Sequence, residues 1–182
     1  MIFTETKLKG AYIIDINRIE DDRGFFGRSY CKEEFEAYGL NTNIVQINLS
    51  YNKKKGTLRG LHIQTMPYGE VKLVRCTRGS IFDVFVDLRS DSNTFRQWIG
   101  VDLTADNHRM IYAPAGFAHG YIALEDNTEV TYPVTEFYTP AAERGFPWND
   151  PAFKIEWPIE PSLISEKDKS HPPFELEWKI IE

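Results

Sequence analysis

Cysteine is scarce in this chain. Cys31 and Cys76 are the only two, which excludes the dense disulfide framework of a small secreted scaffold. Long apolar runs are missing too, so no segment reads as a membrane span. The opening MIFTETKLKG lacks the apolar stretch that marks a secretory signal. Nor is there a surplus of basic residues: 21 Lys and Arg against 27 Asp and Glu leave a net charge of −6. Broad binding to nucleic acid or to an anionic membrane surface needs a basic face instead. An anionic small ligand stays compatible, because a pocket can be basic locally. A cytoplasmic protein with no nucleic-acid or membrane partner is the expectation.

The chain has 42% hydrophobic and 26% charged residues, enough for one buried core without staples. With no repeat, low-complexity tract or linker-like break, a single domain is expected over 1–182. Strand-like runs dominate: AYIIDI (11–16), NIVQINLS (43–50), VKLVRC (71–76), SIFDVFVDL (80–88), WIGVDL (98–103), MIYA (110–113) and TEVTYPVTEF (128–137). Turn residues separate them at the spacing of a sandwich or barrel. Two helices are expected. One is CKEEFEAYGL (31–40), with Phe35 and Tyr38 three apart and Gly39 as a stop; the other is a short turn around ISEKDKS (164–170). Pro133 inside the run 128–137 predicts a strand that is at an edge or bulged there. The fold class read from these elements is all-β with one or two short helices.

Candidate chemistry gathers in two places. LRGLHIQ (58–64) precedes VKLVRCTRGSI, in which Gly79 closes a turn between strands; YAPAGFAHGY (112–121) holds Pro114-x-Gly116-x-x-His119. Taken alone, His62 or His119 reads as a hydrogen-bonded core histidine. Arg59, His62, Gln64, Lys72 and His119 together are too many buried polar groups to leave without partners, so they point to a ligand pocket. Tyr132 shares a strand face with Val130 and Val134. If that face points inward, its phenol enters the same cavity. Lys167-Asp168 reads on its own as a solvated surface pair.

The two segments resemble the paired motifs of the cupin superfamily, which implies a double-stranded β-helix, a jelly-roll barrel. Metal-binding cupins carry His-x-His, then Glu, then a further His. Here those positions read His62-x-Gln64, Lys72 and His119. An ammonium has no lone pair and repels a cation, so the set suits an anion and no metal is expected.

Nine segments in order narrow the resemblance: DDRGFFGRSY, VQINLSYN, LRGLHIQ, KLVRCTRGSIFDVFVDLR, SNTFRQW, PAGFAHGY, YTPAAERG, WNDPAFKIEWP and SEKD. Together they resemble the dTDP-4-dehydrorhamnose 3,5-epimerase family from about residue 7 to about residue 170. The resemblance implies that His62 is the base, Asp168 orients it and Tyr132 is the general acid. It also implies that Lys72, Arg59 and His119 face the sugar, and that Arg23, Gln46, Asn48, Glu143 and Lys167 contact nucleotide or sugar. Tyr138 would stack on the base. The family's homodimers exchange N-terminal strands, so that Arg23 and Phe26 would serve the neighbouring site. No cofactor is implied.

Two positions depart from the family pattern. Arg28 stands where many members place a Glu that receives the nucleotide base, and Pro133 follows Tyr132 in place of Lys. The substrate implied is a nucleotide-diphosphate 4-keto sugar. Its protons at C3 and C5 are both α to the carbonyl and so removable by a side-chain base. Inversion at both carbons of dTDP-4-dehydro-6-deoxy-D-glucose is the leading expectation. The alternatives are inversion at one carbon, another nucleotide such as CDP, or a cupin that is not an epimerase.

Overall fold

The computed structural model describes residues 1–175; the last seven positions of the domain expected over 1–182 lie outside them. The strands are β1 (Ile2–Glu5), β2 (Tyr12–Asp15), β3 (Ile19–Asp21), β4 (Gly24–Phe26), β5 (Gln46–Asn52), β6 (Thr57–Gln64), β7 (Lys72–Arg78), β8 (Ser80–Asp87), β9 (Trp98–Thr104), β10 (Met110–Ala113), β11 (Phe117–Ala123), β12 (Thr128–Val134), β13 (Glu143–Gly145) and β14 (Leu163–Ile164). Two short helices, α1 (Lys32–Ala37) and α2 (Glu166–Lys169), fall inside the two segments expected to be helical.

Six strands form one sheet in the order β1-β2-β10-β7-β12-β5. A second sheet runs β13-β6-β11-β8-β9, with β14 added parallel to β6, and β3–β4 is a separate hairpin. This is the jelly-roll arrangement. The period of two along each strand sends alternate side chains inward and outward. Val74, Cys76, Ile111 and Val130 from the first sheet meet Ile81, Phe85, Ile99 and Phe117 from the second in the inner core.

The outer faces are covered as well. Val84, Val86, Leu61, Ile63 and Ala118 pack outward against Phe146, Phe153 and Phe174. That two-sided cover is why SIFDVFVDL reads as an almost unbroken apolar run. On the other sheet, Ile14, Leu73, Met110 and Tyr112 pack beneath Phe35 and Leu40 of the α1 region. Phe35 is buried as expected, whereas Tyr38 is half exposed and stacks on Phe3 at 4.3 Å.

One expectation is corrected. β12 is not an edge strand, because β5 and β7 flank it on both sides, and its bulge lies between Glu129 and Val130, not at Pro133. The proline is accommodated by a gap in the ladder. β12 pairs with β7 at Thr131 and Val134 but not at Tyr132 or Pro133. Thr135 N–H donates to Val71 O, so by the two-residue period position 133 also faces β7, where a proline has no N–H to give.

Candidate active site

The barrel holds a cavity of about 770 Å³. Its walls follow from strand parity. Gln46, Asn48 and Ser50 point in from β5 while Ile47, Leu49 and Tyr51 point out and are exposed. Tyr132 of β12 pairs with Asn48, and Val134 sits between Gln46 and Lys72. From the other sheet, His62 of β6 lies opposite His119 of β11, which in turn lies opposite Phe85 of β8.

The strand carrying His62 is brought close to β11 by a pair of glycines. At Gly60 φ is +115°, and a Cβ there would stand 2.5 Å from Gly120 Cα and 2.7 Å from His119 O. Only glycine fits such a contact. The β6–β11 register shifts at this point, between His119 and Tyr121.

His62 is held from behind. Its Nε2 lies 2.7 Å from Asp168 Oδ1, with the imidazole 31% exposed and the carboxylate side chain only 6%. Asp168 is itself fixed: Ser165 caps α2 by accepting the Asp168 N–H at 3.0 Å, and Gly60 N–H reaches Asp168 Oδ2 at 3.4 Å. Burial pushes the Asp168 carboxyl upward, but the hydrogen bond and charge of His62, with Gly60 N–H and Ser165, outweigh it and hold the group below its ordinary value. A carboxylate on Nε2 fixes the proton there, leaving Nδ1 with the free lone pair.

Tyr132 lines the same cavity from the opposite sheet, its ring 6.4 Å from that of His119. Burial raises its phenol above the usual tyrosine range, helped by Tyr121 and Glu70 and opposed by Arg59. It therefore stays protonated at neutral pH. Lys72 and Arg59 also reach the cavity, Lys72 paired with Glu70 and Arg59 donating to Asn52 Oδ1 at 2.9 Å. At the mouth, Lys167 pairs with Glu143, whose carboxylate accepts the Tyr138 hydroxyl at 2.9 Å. The Tyr138 ring is 56% exposed there, an open face for stacking.

Eleven of the fourteen residues expected at the site thus line one cavity: Gln46, Asn48, Arg59, His62, Lys72, His119, Tyr132, Tyr138, Glu143, Lys167 and Asp168. Arg23, Phe26 and Arg28 do not. Arg23 pairs with Asp21 on the β3–β4 hairpin, Phe26 is exposed there, and Arg28 approaches Glu34.

The structure adds groups that sequence reading missed. Asp83 is fully buried and meets His119 Nε2 at 2.7 Å; burial raises its carboxyl against the opposing pull of His119 and Lys72. Tyr121 joins Ser50 at 2.7 Å and Asn52 at 3.2 Å. Period two marked both: Asp83 shares a face with Phe85, and Tyr121 with His119. Glu70, in the loop before β7, balances Lys72 and makes the cavity less basic than expected.

A metal at the cupin positions does not fit these residues. Lys72 is engaged as a cation with Glu70. Gln64 is spent on the backbone, donating to Tyr68 O and Phe137 O and accepting Thr139 N–H. It thereby positions the segment carrying Tyr138, while lining the cavity with its amide already satisfied by backbone.

Comparison with known proteins identifies the family. The family model described as dTDP-4-dehydrorhamnose 3,5-epimerase matches residues 5–175. A dTDP-4-dehydrorhamnose 3,5-epimerase of Methanothermobacter thermautotrophicus is 45% identical over 176 residues, spanning 94% of each chain. The crystal structure of the enzyme of that name from Elizabethkingia anophelis superposes with a TM-score of 0.92 at 40% identity over 96% of each chain. That from Bacillus anthracis, solved with TDP and pyrophosphate bound, gives 0.91 at 43% identity over 95% of this chain and 99% of its own. The chain belongs to the dTDP-4-dehydrorhamnose 3,5-epimerase family.

Proposed function

We propose that this protein inverts C3 and C5 of dTDP-4-dehydro-6-deoxy-D-glucose to give dTDP-4-dehydro-L-rhamnose, acting as a cytoplasmic homodimer. The observation that carries the reading is the placement of His62, backed by Asp168, and Tyr132 on opposite walls of one cavity. His62 Nδ1 takes the proton α to the 4-keto group. The resulting enolate is stabilised by the cations Lys72 and Arg59, which both line the cavity. Tyr132 returns a proton from the other face, which inverts the centre. Each acid–base group of this kind contributes on the order of 10²- to 10⁴-fold in rate.

The mouth cluster of Tyr138, Glu143 and Lys167 suits a nucleotide. Exposed apolar side chains support the dimer: Ile47, Leu49 and Tyr51 form a row on the outward face of edge strand β5, and Ile19 and Phe26 form a cross-strand pair on the hairpin. Arg23 and Phe26, absent from their own cavity, are then available to the partner's.

Incubation with dTDP-4-dehydro-6-deoxy-D-glucose in deuterated water, followed by NMR, tests the reaction. Label at both C3 and C5 is expected. Label at one carbon restricts the enzyme to a single inversion, and no exchange with this or a CDP-linked sugar removes the epimerase reading.

A further inference from the structure

Behind the His62–Asp168 pair sits a third residue with no part in the reaction above. His171 follows α2, its Nε2 3.5 Å from Asp168 Oδ1 and its ring edge-on to that of His62 with centroids 5.6 Å apart. Room for it is made by Gly145, where a Cβ would stand 2.2 Å from His171 Nε2. That nitrogen is buried and has no hydrogen-bond partner, which is costly for a polar atom. Burial, followed by the nearby His62 and Lys167, lowers the ring's pKa against the opposing Asp168 and Glu143. In its neutral form an imidazole offers one nitrogen lone pair.

We propose that His62, Asp168 and His171 form a binding site for a divalent transition-metal ion of the zinc type, and that its occupancy switches off the base. Two imidazoles and one carboxylate make a donor set for Zn²⁺ or Co²⁺ and a poor one for Mg²⁺ or Ca²⁺. The donor atoms all lie within 4.8 Å of one another. Zinc bonds of about 2.0–2.2 Å place tetrahedral donors roughly 3.3 Å apart, so side-chain shifts below about 1 Å suffice to close on the ion.

The consequence for catalysis follows from the tautomer. In the His62–Asp168 pair the ring proton is on Nε2 and the lone pair on Nδ1. Coordination takes the Nε2 lone pair, moves the proton to Nδ1 and leaves no lone pair for the sugar. This consequence rests on the role proposed for His62; the metal site itself does not.

Metal-free protein is titrated with Co²⁺ and followed by visible d–d absorption. One ion per chain is expected to give a saturable signal that Zn²⁺ displaces and Mg²⁺ does not. His171→Ala and His171→Gln should weaken binding by at least about tenfold, the smaller loss seen even when an outer-shell partner is removed. Two variants guard against one misfolding. Absence of saturable binding, or equal binding by both folded variants, overturns the site. In the deuterium-exchange assay Zn²⁺ should abolish label uptake and EDTA restore it. Undiminished exchange with the site spectroscopically full overturns the inhibition and leaves the site standing. Failure of the metal-free protein to exchange at all counts against the epimerase reading, while the Co²⁺ titration still decides the site.

Discussion

A carboxylate 2.7 Å from His62 Nε2 determines which nitrogen works. With the proton held toward Asp168, Nδ1 carries the lone pair that the proposed base needs, and Tyr132, kept protonated by burial, is suited to the opposite task proposed for it. The two roles separate under mutation. His62→Ala is expected to abolish solvent exchange at both sugar carbons, a loss of at least about 10²-fold. Tyr132→Phe should leave label uptake largely intact and reduce net inversion, both read by NMR in deuterated water. If Tyr132→Phe inverts normally, the acid lies elsewhere.

At the scale of the element, β6 does most to build the site. One face supplies Arg59 and His62 to the chemistry, while Leu61 and Ile63 anchor the strand against the C-terminal aromatics. Gly60 allows it to lie against β11. Gly60→Ala puts a methyl into Gly120 backbone at a positive φ, and should destabilise the protein by at least about 1–3 kcal/mol, measured by urea denaturation. A variant as stable as wild type would show that the two strands can part without cost. β12 teaches a related lesson: its proline is tolerated in an interior strand because the ladder to β7 is already interrupted at Tyr132 and Pro133.

Across the whole molecule, stability and assembly each have a readable determinant. Asp87 is fully buried; burial opposes its charge, but Arg89, Ser92 and Thr94 hold its carboxyl below the ordinary value. A depressed folded pKa stabilises above the unfolded value and loses that contribution as pH falls through the folded one. Below about pH 4 the wild-type Tm should therefore fall more steeply than that of Asp87→Asn; parallel curves would assign the acid limb to other groups. The apolar row on β5 is the corresponding test of assembly. Leu49, exposed at 67%, points away from the cavity, so Leu49→Glu should yield a monomer by light scattering with the barrel intact by circular dichroism. An undisturbed dimer would remove β5 from the interface.

Seven strands (β2, β5, β7, β8, β9, β10 and β12), the two helices and the identity of the polar residues were legible in the chain itself, because period two and turn residues act locally; β6 and β11, which carry His62 and His119, were not among the expected runs. His62, Lys72 and His119 were legible as a set whose donors suit a cupin metal poorly, since lone pairs and charge belong to residue types. Asp168 was not. In sequence it is one of a solvated pair, and only the packing of α2 against β6 buries it behind His62. Nor were Glu70 as the counter-charge of Lys72, or His171 beside Asp168, since both depend on which loops close over the barrel. Local chemistry lists the groups; burial and long-range contact decide which of them meet, and with what charge.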